Sequence, residues 1–238
     1  MFKKLLPLLL IVSLTACSEP ESVTQTSPEA TQTTETAQTQ AESTESVAPI
    51  EIADAKPGRF KAGEDYQVLE TPATDTPTVT EFFSFYCPHC YQFEPLVQQL
   101  KQQVPDNAKV VKNHVSFMGG NMGDVVTRAY ATAVVLDAQD TIIPVMFDRI
   151  EVAQNPPKSL ADVRQMFVDN GIDGSEFDGA YNSFAANSMA KRFDQSFEKA
   201  GLRGVPAVIV NGKYHVTPKT VETPEEYFQL INFLLTQK

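Results

Sequence analysis

Two of the three cysteines in this chain of 238 residues stand three positions apart, in the stretch "SFYCPHCYQFEP", residues 84–95. Cys87 and Cys90 could be a redox pair, part of a metal site, or a structural disulfide. The pair lies where an apolar run gives way to a helical pattern, so Cys87 falls at a helix N-cap and Pro88 at the first helical position. A sulfur there can accept hydrogen bonds from the backbone N–H groups of His89 and Cys90, which the helix leaves unpaired. A thiolate is then favoured over a thiol. The helix macrodipole contributes only about 0.3–1 kcal/mol, so the N–H bonds and the imidazole of His89 must supply the larger share. Stabilising the reduced thiolate makes the disulfide a stronger oxidant.

The two rival chemistries are poorer fits. Structural zinc takes four protein ligands and catalytic zinc three. Besides the pair, the soft ligands are His89, inside the motif, His114 and His215, and there is no second Cys-x-x-Cys. A disulfide closing so short a loop adds little stability. His114 reads as a satisfied structural histidine.

Positioning such a pair requires a strand and a helix. "TVTEFFSFY", Thr78 to Tyr86, is β-branched or aromatic at nearly every position and reads as a strand covered on both faces. After Pro88, the residues Leu96, Val97, Leu100 and Val104 recur at helical spacing, through Pro95, which must bend the helix. "KVVKNHVSFM" alternates, with Val111, Val115 and Phe117 on one face and Lys112, His114 and Ser116 on the other. Helical stripes follow for about seventy residues: Val125 to Val134, then Ser159 capping a helix closed by Gly171, then one bearing Phe177, Tyr181 and Phe184 and running on through Phe193 and Phe197. The chain returns to β at "PAVIV", turns at Asn211–Gly212 as a two-residue hairpin, and ends in a helix capped by Thr223 with Pro224 and Glu226. The order strand–helix–strand, helices, strand–strand–helix predicts one α/β domain with a helical insert.

"EFFSFYCPHCYQFE", "HVSFMGG" and "LRGVPAVIVNGKY" resemble the DsbA family of bacterial thiol:disulfide interchange proteins, from about Tyr66 to the C-terminus. The resemblance implies a thioredoxin fold with an inserted helical domain: a first part at 58–118, the insert at 119–189 and a second part at 190–238. It implies that Pro206 follows a cis bond beside the active site, where the Val205 backbone pairs with a substrate strand. It also implies that Glu81 and Lys112 form a buried charged pair beneath the cysteines, with Pro88 and His89 tuning the redox couple. Met118, Gly119, Gly120 and Met122 form the hinge into the insert. No cofactor is expected beyond the Cys87–Cys90 disulfide. Reduced exported proteins are the implied substrates, a quinone-coupled membrane protein of the DsbB type the implied reoxidant, and the chain a monomer. A disulfide reductase or isomerase, or a chaperone or copper carrier without turnover, is the alternative.

The N-terminus bears on location. "MFKKLLPLLLIVSLTA", residues 1–16, reads as a secretory signal too short to span a bilayer, and "LTAC" resembles a lipobox that would make Cys17 the lipidated first residue. Residues 17–57 are rich in Thr, Ser, Gln and Glu, which predicts a disordered tether. Ser18 favours anchoring in the outer membrane, facing the periplasm. The net charge of −11 is concentrated in that tether, with eight acids against Lys56, and no basic stripe offers itself to nucleic acid.

Overall fold

A computed structural model of the chain describes residues 58–237; the expected signal segment, Cys17 and the tether lie outside the described residues. The five strands are β1 (Tyr66–Val68), β2 (Thr78–Phe83), β3 (Lys109–His114), β4 (Ala207–Val210) and β5 (Tyr214–Val216), ordered β1-β5-β4-β2-β3 in one sheet. β2 pairs parallel with β3 and antiparallel with β4. The helices are α1 (Pro88–Gln103), α2 (Gly123–Val135), α3 (Gln139–Phe147), α4 (Leu160–Asp169), α5 (Gly174–Tyr181), α6 (Phe184–Lys199) and α7 (Pro224–Leu235). This is a thioredoxin fold with the helices α2 to α6 placed between β3 and β4.

Strand alternation decides where each core sits. Val79, Val208 and Val210 meet Leu100 of α1 and Phe228, Ile231 and Leu234 of α7 on one face of the sheet. Phe82 and Ile209 meet Phe197 of α6 and Leu202 on the other. At the end of β2, Phe83 and, just past it, Phe85 join Met122, Val126, Tyr130 and Phe147 in a cluster that also contains both cysteines. The redox loop is therefore packed into the core of the helical insert.

Several elements differ from the sequence expectation. β2 stops at Phe83, not Tyr86, because the Cys87 N–H turns back to the Ser84 carbonyl at 3.1 Å and the Phe85 N–H donates to His114 Nε2 at 3.0 Å. β1 was not anticipated; three residues are too few to set a period. The buried face of β3 is its polar one, Lys112 and His114, while Val111 is 39 % exposed. The helix expected from Phe177 through Phe197 is two, since the Ser183 hydroxyl caps α6 by accepting the Ala186 N–H at 3.1 Å. Phe184 consequently lies 86 % exposed and is not part of an apolar face. The boundary expected at residue 190 falls inside α6. In the hairpin, Val210 pairs with Tyr214, which leaves three connecting residues in place of two. Helix α1 continues through Pro95 to Gln103.

Candidate active site

Cys87 is the N-cap of α1, with Pro88 in the first turn, so the carbonyl of Cys87 accepts the N–H groups of Cys90 at 2.9 Å and Tyr91 at 3.1 Å. Of the two donors expected for its sulfur, the Cys90 N–H reaches it, at 3.4 Å. Pro88 and His89 stand exposed on the first turn, while Cys87 and Cys90 are free thiols and buried. Burial pushes the Cys90 thiol well above the ordinary cysteine range, and its bond with Cys87 and the nearby charge of Glu81 push it further. The bond between Val205 and Pro206 is cis, and the Val205 carbonyl accepts the Cys87 Sγ–H at 3.4 Å. Two loops far apart in sequence thus meet at one sulfur.

Beneath the pair, Glu81 of β2 and Lys112 of β3 are register partners in the parallel ladder, which brings Lys112 Nζ to 2.7 Å from Glu81 Oε2. Their side chains are 2 % and 3 % exposed. Lys112 also donates a short hydrogen bond to Glu94 of α1. Lys112 Nζ is close to Glu81 Oε2 but poorly aligned, and no other described residue donates to either Glu81 oxygen. Burial raises the Glu81 carboxyl to about 7 against the opposing pull of Lys112. Burial works against the Lys112 ammonium too, but Glu81 and Glu94 together hold its pKa above the usual lysine value.

Glu94 escaped the sequence reading, although a signal existed. On a helix, positions four apart share a face, so a residue four after buried Cys90 points inward. His114 is satisfied, as its sequence context suggested. Its Nε2 accepts from Phe85, so Nδ1 carries the proton and faces Thr127 Oγ1 at 2.7 Å. Burial lowers its pKa to about 3, with Lys112 adding to the effect, and the ring is neutral. Its place is to hold the backbone that leads into Cys87.

Past β3 the chain turns at Gly119 and Gly120, both at positive φ, into a short 3-10 turn, Gly120–Met122, and then α2. A Cβ on Gly119 would lie 2.3 Å from the Tyr86 ring. Tyr86 therefore packs the cysteine loop onto the start of the insert, and its hydroxyl is shut from solvent without a partner among the described residues. Among the described residues no three His, Cys, Asp or Glu side chains are grouped to hold a metal ion.

A buried dithiol at a helix start, facing a cis-proline loop over a buried carboxylate, matches known proteins closely. The DSBA-like thioredoxin domain matches residues 78–229. The chain belongs to this family. The thiol:disulfide interchange protein DsbA of Escherichia coli O6:H1 is 36 % identical over 193 residues, which covers 77 % of this chain and 92 % of that protein. That of Pectobacterium carotovorum subsp. carotovorum is 39 % identical over the same shares. The crystal structure of the disulfide oxidoreductase DsbA from Proteus mirabilis superposes with a TM-score of 0.68 at 35 % identity, covering 75 % of this chain and 98 % of that one. Proteus mirabilis DsbA is also known with a non-covalently bound peptide, PWATCDS; that structure superposes with a TM-score of 0.69 at 34 % identity, covering 75 % of this chain and 99 % of that one.

Proposed function

We propose that Cys87 is the sulfur that exchanges with substrate, that Cys90 is its buried partner, and that the pair works as an oxidant of exported proteins. The chain is a protein thiol:disulfide oxidoreductase, as its family is. The observation that carries the assignment of roles is the contact of Cys87 Sγ with the Val205 carbonyl. A strand laid against Val205 would bring its own sulfur to Cys87 and away from Cys90.

In the disulfide form, a substrate thiolate attacks Cys87 Sγ. The Cys87–Cys90 bond breaks, its electron pair goes to Cys90, and that sulfur takes up a proton, which burial makes it hold tightly. A second substrate thiolate then attacks the substrate sulfur of the mixed disulfide and releases Cys87 as thiolate. Two substrate thiolates become one disulfide, and the enzyme pair is reduced. Glu81, raised to about 7, holds a proton near neutral pH directly below. Lys112 and the partly exposed Glu94 link it to the surface. Pro88 and His89, exposed beside Cys87, set the potential of the couple.

The electrons are carried by the cysteines, so no external cofactor enters this reading. That the Proteus mirabilis protein binds a peptide non-covalently supports a peptide-binding surface on this chain. A DsbB-type quinone-coupled membrane protein serves as reoxidant. The chain works as a monomer in the periplasm, held by lipid on Cys17, with the outer membrane favoured; no described helix is long and apolar enough to cross a membrane. Equilibration with glutathione tests the direction: a couple more oxidising than glutathione is expected, and a strongly reducing one would sink the oxidase. Cys87→Ser should abolish disulfide formation in a reduced test protein, and retained activity would refute the role given to Cys87.

A further inference from the structure

The hydrogen bonds of His114 lead from the cysteine loop into the helical insert. Thr127, in the second turn of α2, is 1 % exposed, and His114, at the end of β3, is fully buried. The imidazole has one polar neighbour on each side. Its Nε2 lies 3.0 Å from the Phe85 backbone nitrogen and its Nδ1 2.7 Å from Thr127 Oγ1. The rings of Phe83, Phe85 and Tyr130 also surround it, with centroids 5.2, 5.0 and 6.3 Å away, and their carbons offer no lone pair to an N–H.

A backbone N–H can only donate, so Nε2 must be bare, and a neutral imidazole then carries its one proton on Nδ1. Thr127 Oγ1 is the acceptor for that proton. Without the hydroxyl the ring has two courses, and each is costly. It can keep an unpaired Nδ1–H in a sealed site, or it can move the proton to Nε2 and set one N–H against another. Both loosen the hold on the Phe85 amide.

Phe85 is in the turn that holds both cysteines. The Ser84 carbonyl accepts the Cys87 N–H at 3.1 Å, and the Ser84 hydroxyl accepts the Tyr86 N–H at 3.2 Å. Burial raises the Cys90 thiol most, and a hydrogen bond from the Ser84 backbone works against that rise. The turn therefore fixes where Cys87 caps α1 and where an amide faces Cys90. Such amides do most for a sulfur that carries charge, and neither sulfur of a disulfide does.

We propose that Thr127 is a positioning residue for the redox pair: it locks the His114 tautomer whose Nε2 holds the Phe85 amide, and so makes the disulfide a stronger oxidant. The insert thereby takes part in setting the couple, through a hydroxyl whose hydrogen bond goes to His114 and not to a sulfur. The inference rests on Cys87 and Cys90 being the exchanging pair.

The test uses the whole chain. Imidazole nitrogen NMR should show His114 Nδ1 protonated and Nε2 bare, and the reverse would overturn the proposal before any substitution is made. Thr127→Val keeps the shape of the side chain and removes the acceptor. Its equilibrium constant for reduction by glutathione should fall about threefold to tenfold, the span of one ordinary hydrogen bond, or about 15–30 mV in a two-electron couple. Thr127→Ala, which cannot crowd the ring, should move the same way, and Thr127→Ser, which keeps the hydroxyl, should restore the original constant. If the valine variant does not fold, the alanine and serine variants carry the comparison. Thr132→Val removes another buried hydroxyl of α2, one that donates to the Arg128 carbonyl at 2.8 Å, and should leave both the constant and the His114 tautomer unchanged. Loss of stability with an unchanged constant in the variants lacking the hydroxyl would make Thr127 a structural contact only and overturn the proposal. So would a serine variant shifted as far as the alanine one. A chain with no glutathione couple at all would refute the exchanging pair itself, and this inference with it, whereas the preceding outcomes overturn only the role of Thr127.

Discussion

The two ends of β2 each bury a polar group, on opposite terms. At the Thr78 end, Asn211 is fully employed. Its Oδ1 accepts the Thr78 N–H at 3.2 Å, and its Nδ2 lies 3.2, 3.2 and 2.9 Å from the carbonyls of Leu234, Leu235 and Gln237. One side chain ties the strand, the hairpin and the end of α7 together. At the Phe83 end, among the described residues, Glu81 has an ammonium beside it but no aligned donor and the Tyr86 hydroxyl has no partner, while Gly119 admits no Cβ. A satisfied polar group fixes a fold, because each alternative leaves its partners bare. An unsatisfied one is held there at a penalty, and gaining or losing a proton changes that penalty. At the far end the buried polar group only anchors; near the cysteines His114 anchors the loop as well, while Glu81 beside it is left free to titrate.

Breaking the anchored end should have the largest effect. Asn211→Ala removes bonds to four backbone groups and puts alanine at φ +52°, and should lower stability by about 2–4 kcal/mol in denaturant unfolding, leaving the redox potential unchanged. A loss below about 0.5 kcal/mol, the level of ordinary surface changes, would show that the contrast is misdrawn.

At the cysteine end, Gly119→Ala meets the Tyr86 ring at positive φ and should destabilise by about 1–3 kcal/mol. Tyr86→Ala in the same chain should relieve part of that loss, which tests the contact itself. Additive losses would count against it.

The pH dependence sharpens the same contrast. Glu81 is raised to about 7 from an ordinary 4.5 in the unfolded chain, so the stability tied to its proton is fully present below 4.5 and is lost as pH rises through about 7. His114 is lowered to about 3 from 6.5, so its share is present above 6.5 and is lost as pH falls toward 3. Between 4.5 and 6.5 the two oppose each other. Glu81→Gln removes the first, and stability of that variant should rise with pH across this window more steeply than in the unaltered chain. Parallel profiles would mean that Glu81 keeps an ordinary carboxyl.

The smallest effect belongs to Tyr86→Phe. Deleting a hydroxyl without a partner should be neutral or stabilise by up to about 1 kcal/mol, whereas a clear loss in thermal unfolding would reveal a bond to that oxygen.

Much of the site was legible in the chain because its signals are local. Cys87, Pro88 and Cys90 at a strand–helix junction announce an N-capped sulfur pair, and that geometry needs only a few consecutive residues. Glu94 was legible in principle, from its spacing to Cys90, but a glutamate on a helix is usually solvated and nothing local says otherwise. The split between α5 and α6 was obscured because Phe184 continues the apolar spacing. Only its 86 % exposure in the folded chain shows that no neighbouring element receives it.

The sequence by itself determined the order of strands β2 to β5, the helical stretch between β3 and β4, and the sulfur pair with its place at the start of α1, because period, capping and proline act over a few residues. Tertiary structure alone decided which face of β3 is buried, that Glu81 opposes Lys112, and that Val205 arrives beside Cys87 from 118 positions away. Those outcomes depend on strand register and on which element packs where. Both are set by long-range contacts among many side chains at once, and no short window of residues contains them.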